Sequence, residues 1–259
     1  MPDPVPDYSV VVPAFDEEDL LPRTLAAIRA AMEATPLRGE IVVCDNNSTD
    51  GTAAAARAGG ARVVFEPVNQ IARARNAGAR AARGRFLVFV DADTEVPPGA
   101  LREALDALAS GTVAGGGSVV HMESGGRWLG GLLVGTWNRI SRRLLLAAGS
   151  FVFVTREAFD GAGGFPESVY AGEEIWFAIA VKRWARRRGL AFRVLDRHPV
   201  RSSNRKMEWY SAWTLAGTFL LFTLCPFLSR SRRFCRIWYQ RPAKAKAGRA
   251  APAPTESPV

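Results

Sequence analysis

The stretch Arg85-Phe86-Leu87-Val88-Phe89-Val90-Asp91-Ala92-Asp93 decides the fold of this chain. Its five consecutive apolar residues, 86–90, predict a strand that is buried on both faces of a sheet. Asp91 and Asp93 follow at the carboxyl end of this strand, where open α/β sheets bind their ligands. Two carboxylates so close together suit a hard divalent cation, which often shares its oxygen ligands with substrate phosphates. The pattern indicates a nucleotide diphosphate ligand, although a lone Asp-x-Asp is also typical of a solvated turn.

Strands and helices alternate around this stretch. Short β-branched runs predict three earlier strands, at 8–13, 40–44 and 62–65. Apolar spacing or alanine content predicts helices between them, at 19–34, 53–58 and 71–83. Beyond Pro97 the sequence predicts helices at 100–108 and 175–188 and strands at 113–122, 151–154 and 191–195. This order predicts an α/β fold, a three-layer sandwich around a mostly parallel central sheet.

The composition fits a globular protein, and its charge is unevenly distributed. The chain has 259 residues, 48% of them hydrophobic, and a net charge of +9. From Arg230 onward, eight Lys or Arg residues and one Glu give +7. The basicity therefore belongs to the tail, where it suits an anionic membrane surface, and we expect no nucleic-acid partner. The acidic, Pro-rich start predicts no secretory signal, and three cysteines without zinc-site spacing predict a reduced, cytosolic environment.

Two polar groups are expected to share the crevice with Asp91. Asp45 ends the second strand, and in a parallel sheet it faces the same rim, where it can accept hydrogen bonds from a base or a ribose. Arg75 and Asn76 lie early in the helix before the Asp91 strand, where arginine pairs well with phosphate. The alternative for this pair is an exposed, amphipathic helix face. The residues that follow Asp45, 48–51, are better explained as a turn and helix cap.

Three further residues are candidates with two interpretations each. Glu173 and Glu174 open a helix, where acids either complement the helix dipole or act as a general base toward a hydroxyl. His198 follows the last predicted strand, and it is either structural or the group that completes the coordination of an ion held by Asp93.

Six segments, in order, resemble the family 2 glycosyltransferases, which have the GT-A fold. They are Ser9-Val10-Val11-Val12-Pro13-Ala14-Phe15-Asp16-Glu17-Glu18, Asp45-Asn46-Asn47-Ser48-Thr49-Asp50-Gly51-Thr52, Ala74-Arg75-Asn76-Ala77-Gly78, Phe89-Val90-Asp91-Ala92-Asp93-Thr94, Gly163-Gly164-Phe165-Pro166-Glu167 and Gly172-Glu173-Glu174. The resemblance covers about residues 8–200. It implies a metal-dependent, inverting transfer of sugar from a nucleotide-diphospho-sugar to an acceptor hydroxyl.

The resemblance also implies roles for individual residues on the donor side. The nucleotide pocket would be lined by Pro13, Ala14, Glu17 and Asp45. Arg75 would approach the donor. Asp91 would face the ribose or a metal-bound water, and Asp93 would bind Mg²⁺ or Mn²⁺ directly.

The catalytic base is left open between two residues. Glu174 matches the acid that acts as base in the family's Glu-Asp pair, but the usual Asp is a Glu here, so Glu173 or Glu174 is the candidate. Two alternatives to a glycosyltransferase remain: a catalytically inactive, membrane-associated scaffold with the same fold, and a nucleotidyltransferase. The latter normally carries a glycine-rich loop where this chain has Pro13-Ala14-Phe15-Asp16.

A charge-free segment, Trp209–Leu228, raises the question of membrane attachment. It is long enough for a transmembrane helix, but an interfacial helix and a buried core helix are the other interpretations. Basic and aromatic flanks favour peripheral attachment to the cytoplasmic face of the membrane, with a lipid-linked acceptor as one candidate substrate. We expect three regions: a GT-A domain at 1–205, an apolar, membrane-associating helical segment at 206–240 and a disordered tail at 241–259.

Overall fold

The computed structural model describes residues 5–122, 149–203 and 224–239, with isolated positions in the two gaps. Its strands are β1 (Tyr8–Ala14), β2 (Gly39–Asp45), β3 (Arg62–Phe65), β4 (Phe86–Val90), β5 (Thr94–Glu95), β6 (Val113–Met122), β7 (Phe151–Thr155) and β8 (Ala191–Ser202). Its helices are α1 (Leu21–Glu33), α2 (Thr52–Ala58), α3 (Ile71–Ala81), α4 (Pro98–Ala109), α5 (Arg156–Ala162), α6 (Glu173–Arg186) and α7 (Arg236–Tyr239), with a 3₁₀-helix at Pro226–Arg230.

The described strands form one sheet in the order β3-β2-β1-β4-β7-β6-β8-β5. Six strands run in one direction, whereas β7 and β5 run against their neighbours. Apolar side chains alternate between the two faces of the sheet and form two cores. One core lies under α1 and α4, and the other lies under α3, α5 and α6. The predicted three-layer α/β sandwich with a mostly parallel sheet is confirmed.

Differences from the predicted elements occur in the second half of the chain. The last strand extends to Ser202 because β6 pairs with it as far as Met122. Helix α5 was not predicted; it is capped by the Thr155 hydroxyl, which accepts a hydrogen bond from the Ala158 amide at 3.1 Å. Helix α6 begins at Glu173, directly after Gly172 with φ of 72°. The two glutamates therefore occupy its first turn.

The reversed direction of β7 shapes the edge of the sheet where ligands are expected. The carboxyl ends of β1, β2 and β4 lie at one edge. Because β7 is antiparallel to β4, its amino end reaches that same edge, and the Asp91 amide donates to the Ser150 carbonyl at 3.4 Å. The start of α6 also lies there, since Arg75 bridges Asp91 and Glu173. We call this edge the catalytic rim.

The predicted membrane segment is only partly within the described residues. Half of the residues of Trp209–Leu228 and all of the predicted tail, 241–259, lie outside them. Among the helices that are described, none combines the length and apolar character needed to cross a membrane.

Candidate active site

Arg75 is the centre of the catalytic rim. Its helix, α3, packs so closely on β1 that a Cβ on Gly78 would lie 2.4 Å from the Val11 Cγ1 atom. The Arg75 side chain is only 1% exposed. Its Nη1 donates to Glu173 Oε1 at 2.6 Å, and its Nη2 donates to Asp91 Oδ1 at 2.8 Å. The sequence predicts Arg75 on a solvated or phosphate-binding helix face, whereas in the structure its guanidinium is buried between two carboxylates. We call this group of three side chains, Arg75 with Asp91 and Glu173, the Arg75 clamp.

An aromatic cluster packs against the Arg75 guanidinium. The Arg75 guanidinium lies 5.1 Å from the centre of the Phe165 ring. The Phe165 ring stacks on the Phe177 ring, with 4.1 Å between their centroids, and meets the Phe89 ring edge-on, with 4.9 Å between centroids. Burial by itself lowers the pKa of Arg75, but the nearby carboxylates, Asp91 first and then Glu173 and Glu174, outweigh it and raise that pKa. Arg75 therefore keeps its positive charge inside the protein.

The two glutamates of α6 have different surroundings. Glu173 is buried and paired with Arg75, whereas Glu174 keeps some exposed surface. A Cβ placed on Gly149 would lie 3.1 Å from the Arg75 Nη2 and 3.6 Å from the Glu174 carboxyl carbon, so both groups border the same glycine. Desolvation, and then the charge of Glu173, raise the pKa of Glu174 to about 8 although Arg75 acts in the opposite sense. Glu174 is thus a carboxylate with the basicity of a general base near neutral pH.

The candidate metal ligands follow β4. Asp91 is 27% exposed and shared with Arg75, and Asp93 accepts a hydrogen bond from the Ser203 hydroxyl at 3.1 Å. The Ser203 amide also donates to the Asp93 carbonyl, at 3.1 Å. Within the described ranges, no group of three or more His, Cys, Asp or Glu residues is arranged so that it could hold a metal ion by itself. Two carboxylates without a third protein ligand fit a hard cation whose remaining oxygen ligands come from a diphosphate.

His198 lies elsewhere on β8. Its imidazole ring packs against α4, where a Cβ on Gly99 would lie 2.6 Å from the ring. Ser202 pairs with Thr94, so the residue brought beside Asp93 is Ser203, directly after β8. The geometry gives no support to His198 as the group that completes the coordination of an ion at Asp93, because four residues of extended chain, 199–202, separate it from Ser203.

The residues predicted to line a nucleotide pocket meet at the ends of β1 and β2. Ala14 is the register partner of Asp45, and Pro13 is buried beside it. Asp45 Oδ1 accepts a hydrogen bond from the Ser48 amide at 3.0 Å, so this carboxylate holds the turn that follows β2. The Glu17 amide donates to the Thr52 hydroxyl at 2.7 Å, which ties the loop after β1 to the start of α2. The structure thus brings these predicted residues to one end of the catalytic rim.

The loop that leads to the glutamates is fastened by α3. We call residues 165–172 the catalytic loop. Asn76 donates to the Phe165 carbonyl at 2.8 Å and accepts from the Phe165 amide at 2.9 Å. The buried Gln70 side chain donates to the carbonyls of Glu167 and Val169, at 2.8 and 2.9 Å. Sequence reasoning did not identify Gln70, and its only signal was a polar residue directly before a site-bearing helix.

A C-terminal segment, residues 226–239, also contacts the catalytic loop, and we call it the strap. The Tyr170 amide donates to the Ser229 carbonyl at 2.6 Å, and the Tyr239 hydroxyl donates to the Tyr170 carbonyl at 2.8 Å. The strap therefore packs against the site, although its residues fall in the segment predicted to associate with a membrane. The predicted domain boundaries stay a prediction.

The chain is similar in sequence to known glycosyltransferases. The sequence model of glycosyl transferase family 2 matches residues 9–159, which run from β1 into α5. An uncharacterized glycosyltransferase of Mycobacterium tuberculosis is 40% identical over 103 residues, covering 40% of this chain and 44% of that protein. An undecaprenyl-phosphate 4-deoxy-4-formamido-L-arabinose transferase of Pseudomonas paraeruginosa is 34% identical over 122 residues, covering 42% and 34%. The match therefore spans less than half the length of either curated relative.

The fold has a solved counterpart. Glucosyl-3-phosphoglycerate synthase from Mycobacterium tuberculosis, in complex with Mn²⁺, UDP-glucose and phosphoglyceric acid, superposes with a TM-score of 0.60. The two proteins are 22% identical, and the superposition covers 87% of this chain and 79% of the synthase. The likeness confirms the expected GT-A fold.

Proposed function

The chain belongs to the family 2 glycosyltransferases, and from this premise we propose that it transfers a sugar from a nucleoside-diphosphate sugar to an acceptor hydroxyl with inversion. The observation that carries the proposal is the cluster at the catalytic rim. Arg75 binds Asp91 and Glu173 there, and Glu174, whose pKa is about 8, borders the same glycine as the Arg75 guanidinium.

The residues of the rim suit a single displacement. The acceptor oxygen forms a bond to the anomeric carbon while the bond from that carbon to the diphosphate oxygen breaks, and its electrons leave with the diphosphate. The acceptor proton passes to Glu174, whose raised pKa makes it a stronger base than an ordinary glutamate. Attack from the face opposite the leaving group inverts the anomeric centre. Glu173 is already engaged with Arg75, which favours Glu174 as the base.

Asp93, with Asp91, would hold a divalent cation, Mg²⁺ or Mn²⁺. When bound, such a cation offsets the negative charge that develops on the leaving diphosphate. The Ser203 hydroxyl orients Asp93, and Arg75 orients Asp91, so both carboxylates are held at the end of β4. His198 is not part of the proposed site.

The nucleotide would lie across the ends of β1 and β2. Pro13, Ala14, Glu17 and Asp45 are its proposed contacts, with the Asp45 carboxylate facing the base or ribose. Since the Mycobacterium tuberculosis synthase is known in complex with UDP-glucose and Mn²⁺, a UDP-sugar is the first donor to test.

The donor half of the proposal is tested by thermal unfolding followed by turnover. The purified chain is scanned with UDP, GDP, CDP, ADP and dTDP, each with and without Mn²⁺. We expect one diphosphate to raise Tm, because a ligand that binds only the folded state stabilises it by about 2.7 kcal/mol at 100 times its Kd. The rise should require Mn²⁺, because the cation would link the diphosphate to Asp91 and Asp93. The corresponding nucleotide sugar should then be hydrolysed slowly, or transferred to added acceptors.

Asp93→Ala is the control variant. It should unfold near the wild-type Tm without ligand and lose the metal-dependent shift. A panel in which no diphosphate raises Tm, or donor hydrolysis that persists in Asp93→Ala, contradicts the proposed site. Ligand binding without any turnover of the matching sugar would instead favour the alternative of an inactive scaffold.

We propose further that the enzyme works at an anionic membrane surface. The outer side of the strap exposes Leu224, just before it, together with Phe227 and Phe234, which are 70%, 66% and 48% exposed. Exposed arginines lie among them, at positions 230, 232, 233 and 236. Apolar side chains among cations are typical of interfacial segments that bind anionic lipid. A lipid-linked acceptor would suit this location, and the Pseudomonas relative is an undecaprenyl-phosphate transferase.

A further inference from the structure

The catalytic loop is held from two sides, and the second side is the strap. On one side, the loop accepts hydrogen bonds from Asn76 of α3 and from Gln70, the residue directly before α3. On the other side, the strap contacts Tyr170 of the loop through one backbone–backbone hydrogen bond and one side-chain hydroxyl. Tyr170 donates its amide to the Ser229 carbonyl and accepts the Tyr239 hydroxyl on its carbonyl. Tyr170 is three residues before Glu173, so its position sets the entry of the chain into α6.

Tyr239 connects this loop with the helix that carries Arg75. Its hydroxyl accepts a hydrogen bond from the Ile71 amide, at 3.5 Å, in addition to donating to Tyr170. Ile71 is the first residue of α3, where backbone amides lack partners within the helix. The Tyr239 ring also packs edge-on against the Tyr170 ring, at 6.0 Å between centroids. The Tyr239 hydroxyl thus joins the start of α3, the helix that carries Arg75, to the loop that leads to Glu173.

The inner side of the strap is close to the catalytic charges. Cys235, which is fully buried, donates its thiol to the Ser229 carbonyl at 3.6 Å. Burial, and then the charge of Glu173, raise the pKa of the Cys235 thiol to about 11, and the same two causes raise the pKa of Tyr239. Both groups therefore stay neutral beside Glu173 at physiological pH, and neither of them adds a charge there.

We propose that Tyr239 is a positioning residue, which holds the catalytic loop so that Glu174 lies correctly beside the Arg75 clamp. The proposal rests on the proposed function in one respect, that Glu174 is the base. Tyr239 acts on the start of α6 and not on the ends of β1 and β2. Its loss should therefore lower kcat and leave the KM for the donor unchanged.

The test compares two variants that each remove a tyrosine hydroxyl from the full chain. Tyr239→Phe keeps the ring and loses both hydrogen bonds. Tyr8→Phe is the matched control, because the buried Tyr8 hydroxyl has no hydrogen-bond partner in the described structure. We expect Tyr239→Phe to lower kcat for donor turnover about tenfold, as displacement of a catalytic group by a fraction of an ångström does, with the donor KM changed less than about twofold. Tyr8→Phe should keep the wild-type kcat.

Hydrogen exchange measured by mass spectrometry provides a readout that needs no turnover. Peptides covering residues 168–174 and the start of α3 should exchange faster in Tyr239→Phe than in the wild type or Tyr8→Phe. Unchanged exchange, or a wild-type kcat in Tyr239→Phe, overturns the inference. A rise in donor KM with kcat intact also overturns it. If no nucleotide sugar is turned over by the wild type, the proposed function fails, whereas the exchange experiment still decides whether Tyr239 holds the loop.

Discussion

A single buried guanidinium organises the residues of the catalytic rim. Arg75 is nearly inaccessible to water, and its charge is balanced by Asp91 and Glu173. Removing one partner of a buried ion pair leaves the other charge uncompensated, which costs about 3–5 kcal/mol. Glu174 is in the opposite position, since its ionised form is disfavoured by desolvation and by Glu173. Adjacent glutamates in one helical turn thus have opposite effects on stability.

Neutral substitutions of the two glutamates should separate their roles. Glu174→Gln should lower kcat by about 10²–10⁴-fold, as expected for loss of a general base. It should not lower Tm, because the amide removes the repulsion from Glu173. Glu173→Gln should lower Tm, because Arg75 then lacks one of its charged partners. A Glu174→Gln variant that retains turnover, together with an inactive but stable Glu173→Gln variant, would reassign the base to Glu173.

The raised pKa of Glu174 should make both turnover and stability depend on pH. The base must be ionised to accept a proton, so wild-type kcat/KM should rise with pH and level off above about pH 8. The raised pKa also makes the ionised form unfavourable for folding. This penalty is absent below the ordinary value of 4.5 and grows as pH rises toward about 8. The difference in Tm between Glu174→Gln and the wild type should therefore be larger at pH 9 than at pH 5.

At the level of elements, the position of α3 on the sheet determines where Arg75 lies. The helix approaches β1 where Gly78 faces Val11, and a Cβ at position 78 would lie 2.4 Å from the Val11 Cγ1 atom. Val11 is buried and β-branched, so its side chain has few alternative rotamers. An added methyl group would have to move the helix, and with it the clamp.

Gly78→Ala is therefore expected to destabilise the protein in spite of the better helix propensity of alanine. Overpacking of a rigid contact costs about 1–3 kcal/mol, against a propensity gain of about 1 kcal/mol. Gly217→Ala is the control, since a Cβ there meets no atom within 4 Å. Urea unfolding should show a lower midpoint for Gly78→Ala only. Equal midpoints for the two variants would show that α3 adjusts without cost.

At the scale of the whole molecule, the strap has two sides with different partners. Its inner side contacts the catalytic loop through Ser229 and Tyr239. Its outer side exposes Phe227 and Phe234 among arginines. A surface that binds lipid would thus lie on the strap, which contacts the loop that leads to the proposed base. Under the membrane proposal, this arrangement would bring a lipid-linked acceptor toward the catalytic rim.

Vesicle binding tests the outer side of the strap. We expect the wild type to co-sediment with vesicles that contain phosphatidylglycerol and not with pure phosphatidylcholine, and to be released by salt. The Phe227→Ser/Phe234→Ser double variant should bind less. Phe65→Ser removes an equally exposed ring, 60% exposed on β3, and should bind like the wild type. Binding of the double variant at wild-type level would exclude this surface.

The first half of the fold, and the end of the sheet at which Asp45 and Asp91 lie, could be predicted from local patterns. Buried β-branched runs and alternating helices led to the parallel sheet. The carboxyl-end rule then placed Asp45 and Asp91 at the same edge, as observed. The interior antiparallel strand β7 could not be predicted in this way, because its direction depends on how the chain returns after residues 123–148, not on the pattern of 151–155 itself.

Local sequence patterns were enough to predict the mostly parallel character of the sheet, the family and the acids at the end of β4. Tertiary structure alone decided which groups meet: Arg75 with Glu173, 98 residues apart, Asp93 with Ser203, 110 residues apart, and Tyr239 with Tyr170. It also placed the His198 ring beside Gly99 of α4, and it buried Glu173 while leaving Glu174 partly exposed. The physical reason is that strand and helix patterns depend on nearest neighbours in the chain. Burial, charge pairing and pKa depend on neighbours in space, and sequence spacing does not specify these.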